Sequence, residues 1–171
     1  MPSLTFFFSS ADSFLEAFPE LAPHSRKGVL CFTNGCFDLV HAGHVQYLED
    51  ARALGDFLVV GLNSDESVAR LKGASRPLQS ECARALVLLG LRSVDAVVLF
   101  DEDTPAELIQ RLQPDVLAKG GDYTPETVVG RETVANRGGQ TVIIPLLEGH
   151  STTAIVDKIL ASGPGGGHGA R

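Results

Sequence analysis

Two histidines, His41 and His44, follow an apolar run and stand three residues apart. Side chains with this spacing lie on the same face of a helix, so both imidazoles can face one side of a first helical turn. A helix start also offers free N–H groups and the positive end of the helix dipole, which suit a phosphate. Two imidazole donors there could stabilise charge on a phosphoryl oxygen in a transition state. The spacing therefore indicates phosphate chemistry.

Other interpretations of the pair are caps, surface residues or metal ligands. Zinc-binding helices of the zincin type space their histidines four apart, and the sequence shows no evident cluster that would supply a third metal ligand. Gly35 and Gly43 flank the segment and would ease close approach of the backbone to a ligand. Their presence, together with the position after a strand, favours the phosphate interpretation.

Charged side chains elsewhere could complete such a site. Lys72 and Arg76 lie on either side of a glycine in a predicted loop, and Lys119 ends a predicted strand before two glycines. Isolated cations are usually solvated, but these placements favour contact with phosphate. Asp38 and Asp122 could orient ribose, sugar hydroxyls or Mg²⁺, or simply form turns.

Two further residues have ordinary structural explanations. Ser151 precedes an apolar helical segment and predicts an N-cap, although the same geometry presents hydroxyls and amides to a phosphate. Arg84 follows Glu81 by three residues, which predicts an ion pair on a helix surface.

The elements that must position these residues alternate between strand and helix along residues 28–160. The predicted strands are Val29–Thr33, Phe57–Leu62, Val94–Phe100, Val116–Lys119 and Thr141–Pro145, and the predicted helices are Gly43–Leu54, Ser64–Leu71, Glu81–Leu91, Thr104–Leu112 and Ser151–Ala161. This order predicts an α/β fold, a single doubly wound parallel (Rossmann-like) sheet with helices on both faces. Ligands of such sheets bind outside the carboxyl ends of the strands.

The chain divides into three predicted parts. Residues 1–27 form an N-terminal arm with a short helix from Asp12 to Phe18, capped by Asp12 or Ser13. Residues 28–161 form the domain, and residues 162–171 form a glycine-rich tail that is expected to be disordered and dispensable. The glycines of that tail match a dinucleotide fingerprint by letter only, because no strand precedes them.

Composition excludes several classes of protein. The net charge of −7 and the sequence pI of about 5.1 argue against a partner of long nucleic acid. No apolar run approaches the roughly 20 residues that span a bilayer. The odd count of three cysteines predicts free thiols in a reducing compartment, so a cytoplasmic protein is expected.

The segment Asn34-Gly35-Cys36-Phe37-Asp38-x-x-His41-Ala42-Gly43-His44 resembles the signature of the cytidylyltransferase-like nucleotidyltransferases. Supporting segments follow in the family's order: Leu62-Asn63-Ser64-Asp65, Arg70-Leu71-Lys72-Gly73, Arg76-Pro77 and Glu148-Gly149-x-Ser151-Thr152-Thr153. The resemblance covers residues 28–160 and implies a Rossmann-like nucleotidyltransferase domain.

Within that family the chain resembles the adenylyltransferases that make ADP-heptose from D-glycero-D-manno-heptose 1-phosphate for lipopolysaccharide core biosynthesis. The similar segments are Thr33-Asn34-Gly35, Lys72-Gly73 to Arg76-Pro77, Glu102-Asp103-Thr104-Pro105 and Lys119-Gly120-Gly121-Asp122-Tyr123. Related cytidylyltransferases carry an arginine where this chain has Leu146, which predicts a preference for ATP over CTP. His150 replaces a small or apolar residue, and the sequence offers no account of it.

The implied reaction is attack of a sugar-phosphate oxygen on the α-phosphorus of ATP, with release of pyrophosphate. The resemblance implies three sets of residues. The catalytic set is His41, His44 and Lys72. The nucleotide-binding set is Thr33, Asn34, Gly35, Phe37, Asp38, Gly43, His44, Asn63, Arg76, Ser151, Thr152 and Thr153. The substrate-binding set is Asp38, Lys72, Lys119, Gly120, Gly121 and Asp122.

The expected partners are ATP, which carries Mg²⁺, and a sugar 1-phosphate made by a separate kinase. No protein-bound metal is expected, and a homodimer is implied by resemblance alone. Three alternatives remain. They are a cytidylyltransferase acting on glycerol 3-phosphate or another small alcohol phosphate, a non-catalytic nucleotide-binding module, and a histidine-based metal-binding protein.

Overall fold

The computed structural model describes residues 6–121, 124–147 and 149–162. The strands are β1 (Phe7–Phe8), β2 (Leu30–Gly35), β3 (Phe57–Asn63), β4 (Ala96–Phe100), β5 (Val116–Gly120) and β6 (Gln140–Ile144). The α-helices are α1 (Ala11–Ala17), α2 (Ala42–Arg52), α3 (Asp65–Lys72), α4 (Glu81–Leu89), α5 (Ala106–Leu112), α6 (Arg131–Ala135) and α7 (Thr152–Ala161). Two single-turn 3₁₀ helices, Pro19–Leu21 and Pro125–Thr127, lie between them.

The six strands form one parallel sheet in the order β1-β4-β3-β2-β5-β6. From the central β2 the chain moves outward through β3 to β4 and then crosses back to β5 and β6. The order therefore reverses between β2 and β5, and a crevice opens at this point beyond the strand ends.

Alternating side chains of the strands supply two separate cores, one on each face of the sheet. On one face, Leu58 and Val60 of β3 pack with Leu48 of α2 and Leu88 of α4. On the other face, Val59 of β3 belongs to the core that contains residues of α1, α5 and α6. A strand with both faces covered must be apolar at nearly every position, which explains the continuous apolar run in β3.

The doubly wound parallel sheet predicted from the sequence is confirmed. Each of the five predicted strands and five predicted helices of residues 28–160 is present, with ends shifted by a few residues. Among the described strands and α-helices, two were not predicted: the two-residue strand β1 and the five-residue helix α6. Both are too short to show a hydrophobic period.

The N-terminal segment adds to the sheet. Phe7 and Phe8 pair with Val97 and Val98 of β4, and Phe14 of α1 is fully buried. The predicted cap of α1 at Asp12 or Ser13 was wrong, because Ser10 caps the helix and forms a reciprocal capping box with Ser13. The division at residues 27 and 28 remains a prediction, and the glycine-rich tail lies almost wholly outside the described residues.

In the part of the chain that the structure describes, no helix is long and apolar enough to cross a membrane.

Candidate active site

A cleft of about 390 Å³ lies at the carboxyl ends of β2 and β5, where the strand order reverses. Its walls come from the end of β2 and the loop after it, from α2, and from the ends of α3, β5 and β6. The lining residues are Asn34, Gly35, Cys36, Phe37, Asp38, His44, Tyr47, Lys72, Lys119, Gly120, Leu146 and Thr152. Half of the residues predicted for the site from the sequence therefore line one cleft.

The two histidines stand at the start of α2. His41 is the N-cap residue, with an extended backbone, and His44 lies in the first turn. Their rings stack with centroids 3.9 Å apart, and the His44 ring also meets Phe37 edge-on at 5.2 Å. The same-face arrangement expected from the three-residue spacing is thus present.

Both imidazoles are held in the neutral form. Burial, followed by the charges of His41 and Lys72, lowers the pKa of His44 to about 4, although the nearby Leu39 carbonyl acts in the opposite direction. Burial, followed by the charge of His150, lowers the pKa of His41. The buried Nδ1 atoms of both rings have no hydrogen-bond partner of good geometry among the described residues.

The loop that joins β2 to α2 is tightly constrained. A Cβ atom at Gly35 would lie 3.0 Å from Cε2 of the Phe37 ring, so only glycine lets this ring fold back over the strand end. Phe37 itself has a φ of 46°, in the left-handed region that residues other than glycine rarely adopt. Strain of this kind clusters at functional sites, where the surrounding structure holds it in place.

Two lysines face the cleft from different elements. Lys119, near the end of β5, places its Nζ 3.2 Å from Oδ1 of Asn34 on β2, which links the two strands across the reversal point. Burial lowers the pKa of Lys119, and Cys36 opposes the shift. Lys72 ends α3 and is exposed, and its positive charge helps to lower the pKa of His44. The cleft thus combines two neutral donors with two cationic side chains.

The Asp38 carboxylate is bound by groups of the protein itself. It is buried and lies 2.6 Å from Nε of Arg76, and it accepts hydrogen bonds from the backbone N–H groups of Leu78 and Gln79. The Gln79 side chain in turn donates to the Asp38 carbonyl. In the structure Asp38 and Arg76 therefore fasten the loop after α3 against the loop after β2, and the Asp38 side chain does not fit the predicted metal or hydroxyl contact.

Two residues of the predicted nucleotide-binding set lie beneath the cleft. Thr33 is fully buried and its hydroxyl is hydrogen-bonded to that of Tyr47, which also donates to the Ala118 carbonyl. Asn63 is 4% exposed and donates to Ser67. Their side chains support the β2 and β3 ends rather than line the cavity, so a role for either in nucleotide contact is not supported by this geometry.

Helix α7 brings its start to the same region. The Ser151 hydroxyl accepts from the Ala154 N–H and caps the helix, as the sequence predicted. Thr152 lines the cleft, with its hydroxyl 3.5 Å from the Leu39 carbonyl. Thr153 is exposed and does not line it. The predicted contacts of all three with nucleotide remain predictions.

The glycines after β5 are placed for close packing. A Cβ at Gly120 would lie 2.9 Å from Cδ2 of Leu146 and 3.1 Å from Cε2 of Tyr47. Gly121 has a φ of 100°, which favours glycine. The adjoining Asp122, a predicted substrate ligand, lies outside the described residues.

The prediction that Arg84 lies on a helix surface was wrong. Arg84 is not a surface partner of Glu81 but is fully buried, and its guanidinium donates to the carbonyls of Cys36 and Gln79 and to the carboxylate of Asp65. One side chain therefore joins α3, α4 and the loop after β2. An arginine within a segment of otherwise apolar helical residues was the only available signal.

Within residues 6–121, 124–147 and 149–162, no three His, Cys, Asp or Glu side chains come together as a metal site. Asp38, a described carboxylate that the sequence suggested for Mg²⁺, forms an ion pair with Arg76. The described residues therefore do not fit a metal ion bound by protein ligands alone.

A doubly wound sheet with a histidine pair and two lysines at its reversal point defines a domain of the nucleotidyltransferase class. The chain belongs to the cytidylyltransferase-like family, whose model matches residues 32–158. Similar curated proteins include the bifunctional protein HldE of Syntrophotalea carbinolica, 61% identical over 136 residues, and that of Geotalea uraniireducens, 60% identical over 138 residues. The matches cover 79% and 81% of this chain but 28% of each relative, so the chain spans under a third of their length.

Solved structures agree on the fold. A lipopolysaccharide core biosynthesis protein from Thermoplasma volcanium is 25% identical, with a TM-score of 0.57 over 70% of this chain and 97% of that one. A pantoate-beta-alanine ligase from Francisella tularensis has a TM-score of 0.59 at 14% identity, covering 91% of this chain and 78% of that one, and shows the likeness of fold alone.

Proposed function

We propose that this domain transfers AMP from ATP to D-glycero-D-manno-heptose 1-phosphate, giving ADP-heptose and pyrophosphate for lipopolysaccharide core biosynthesis. The observation that carries the proposal is the stacked pair of His41 and His44 beside Lys72 and Lys119 at the reversal point of the sheet. Family membership supports the reaction class, and the high identity to HldE proteins and the likeness to a lipopolysaccharide core biosynthesis protein support the substrate.

The chemistry needs little from the protein besides position and charge. An oxygen of the sugar phosphate, already anionic, attacks the α-phosphorus; a new P–O bond forms, and the bond from the α-phosphorus to the bridging oxygen breaks. The electron pair leaves with pyrophosphate. No protein nucleophile is required, so catalysis comes from holding the two phosphates in line and stabilising the charge that develops.

Each residue of the cleft has a place in this scheme. The neutral rings of His41 and His44 donate N–H hydrogen bonds to oxygens of the α- and β-phosphates. Lys72, exposed at the end of α3, neutralises the incoming phosphate together with the triphosphate, and Lys119 holds the sugar phosphate from the other wall. The start of α2 adds the positive end of the helix dipole.

ATP enters, in this proposal, as its magnesium complex, with the ion held by the phosphates. Mg²⁺ bound in this way usually keeps several waters and takes few protein ligands. Chelation with EDTA is expected to abolish turnover, and added Mg²⁺ to restore it.

A pyrophosphate-release assay that crosses four nucleoside triphosphates with a panel of sugar phosphates tests the function. We expect ATP with heptose 1-phosphate to be the best pair. Leu146, 57% exposed at the cleft wall, replaces the arginine of related cytidylyltransferases and motivates the preference for ATP over CTP. Better turnover of CTP or of glycerol 3-phosphate would refute the assigned substrates, while no release with any pair would favour a non-catalytic binding module.

The remaining partners are proposals as well. The HldE relatives are named bifunctional, which indicates a second activity in the same protein. We propose that a sugar kinase activity supplies the sugar 1-phosphate, and an assay of the purified chain with free heptose and heptose 7-phosphate shows whether that activity accompanies the transferase. A homodimer is proposed from family resemblance, and light scattering of the purified protein tests it.

A further inference from the structure

His150 lies at the start of α7, directly before the capping residue Ser151, and its side chain is exposed. It borders a cavity of about 610 Å³ together with Ser151 and Leu146. Leu146 also lines the 390 Å³ cleft, so the two cavities share a wall. His150 therefore stands beside the proposed active site, although neither the sequence pattern nor the scheme above uses it.

The backbone of α2 allows His150 to approach the histidine pair. A Cβ atom at Gly43 would lie 3.3 Å from Cβ of His150 and 3.1 Å from Cε1 and Nδ1 of His41. Glycine at this position thus lets the two histidines meet over the first turn of α2. His41 in turn stacks on His44 at 3.9 Å, so His150 lies beside the turn that carries the stacked pair, and its charge contributes to lowering the pKa of His41.

Positive groups are arranged along the line from the cleft toward the start of α7. Lys72 and Lys119 border the cleft beside His44. At the other end, α2 begins after His41 and α7 begins just after His150, so the positive ends of two helices of 11 and 10 residues meet there. An extended anion with several phosphates can satisfy both ends at once, whereas a monophosphate at the lysine end would reach only His44 and His41.

We propose that His150 contacts the β- and γ-phosphates of the nucleotide, the part that leaves as pyrophosphate. This inference rests on the proposed function and deepens it. As the bond between the α-phosphorus and the bridging oxygen breaks, negative charge moves onto the pyrophosphate, and a ring N–H of His150 stabilises it there. His41 and His44 hold oxygens of the α- and β-phosphates from the cleft side, a role that His150 adds to and does not replace.

Calorimetric binding of three probes tests this assignment: ATP, inorganic pyrophosphate and AMP, which lacks the β- and γ-phosphates. For His150→Ala we expect ATP and pyrophosphate to bind about tenfold more weakly or worse, the usual loss for a hydrogen bond to a charged group. AMP should bind as it does to the unaltered chain. His150→Gln, which keeps an N–H donor, should recover part of the loss.

The matched control is His24→Ala, an exposed histidine that borders a different cavity between residues of α1 and α5. It should change none of the three affinities. Equal losses for AMP and ATP, or no loss for pyrophosphate in a variant with an unchanged melting temperature, would overturn the role of His150. If the losses occur as expected but the unaltered chain releases no pyrophosphate with heptose 1-phosphate, the role holds and the assigned sugar substrate fails.

Discussion

At the scale of single residues, the stacked histidines are expected to be needed for turnover but not for folding. His41→Ala or His44→Ala should each lower kcat by about 10²–10³, the usual cost of removing one preorganised donor to a developing charge. Neither ring supplies a hydrogen bond through Nδ1 to the described fold. Pyrophosphate release and a melting curve are the measurements, with His24→Ala as control. A folded variant with near-normal kcat would remove these residues from the mechanism.

The lowered pKa of His44 makes a second prediction. An unfolded histidine titrates near 6.5, whereas His44 in the folded chain titrates near 4. Between these pH values the unfolded chain binds a proton that the folded chain does not, so stability should fall as pH falls from about 6.5 to about 4. Denaturant unfolding at several pH values measures this, and the pH dependence should be shallower in His44→Gln. An identical slope in both proteins would contradict the assignment.

The sequence could identify much of the site because its ligating residues follow strand ends in order. His44, Lys72 and Lys119 were each predicted beside an element that carries them to the cleft, and His41 stacks on His44. The sequence could not separate Thr33 and Asn63, which lie beneath the cleft, from residues that line it, nor show that Asp38 is paired with Arg76, since all three stand in or near strand ends. A polar side chain can face the cleft or bind a neighbour, as Asp38 binds Arg76 and Thr33 binds Tyr47. The outcome depends on contacts between residues that are distant in sequence.

At the scale of elements, Arg84 is expected to hold together the loops that shape the cleft. Arg84→Met should destabilise the chain by about 3 kcal/mol, because it removes the buried guanidinium that donates to the Cys36 and Gln79 carbonyls and to the partly exposed carboxylate of Asp65. Urea unfolding measures the loss. The matched control is Arg92→Met, whose side chain is 86% exposed in an ion pair with Glu49 and should matter little. Equal effects of the two substitutions would contradict the interpretation.

The central elements were predictable since the strands are largely apolar and helices α2, α3, α4 and α5 each carry buried side chains. Helix α6 escaped because Val134 is the one buried side chain in its five residues. The first turn of α1 was misplaced since Ser10, Asp12 and Ser13 are all good caps, and only the backbone conformation selects Ser10. Strand order was not readable from the sequence, because the crossover back to β5 leaves no local pattern.

At the scale of the whole molecule, the N-terminal segment is expected to unfold with the sheet as one unit. Phe14 is fully buried, and its ring lies 5.3 Å from that of Phe18 and 6.1 Å from that of Phe57 on β3. Phe14→Ala should therefore lower the free energy of unfolding by about 3–5 kcal/mol, through lost burial and a cavity. Phe6→Ala, at a site 46% exposed, serves as control and should cost much less.

Calorimetry of Phe14→Ala is the decisive measurement. One transition at a lower temperature is expected. A separate early transition, with the main one unchanged, would show that the segment is an independent arm.

Strand β1 has a further consequence for how the protein behaves at high concentration. Without the pairing of Phe7 and Phe8, β4 would end the sheet and present a row of unpaired N–H and C=O groups along the apolar sequence Ala96–Phe100. An open, apolar strand of this kind is a template for edge-to-edge aggregation. The short β1, followed at once by the turn into α1, closes much of that edge and is itself too short to recruit another chain. The aromatic segment thus protects solubility by occupying the place that a second molecule would take.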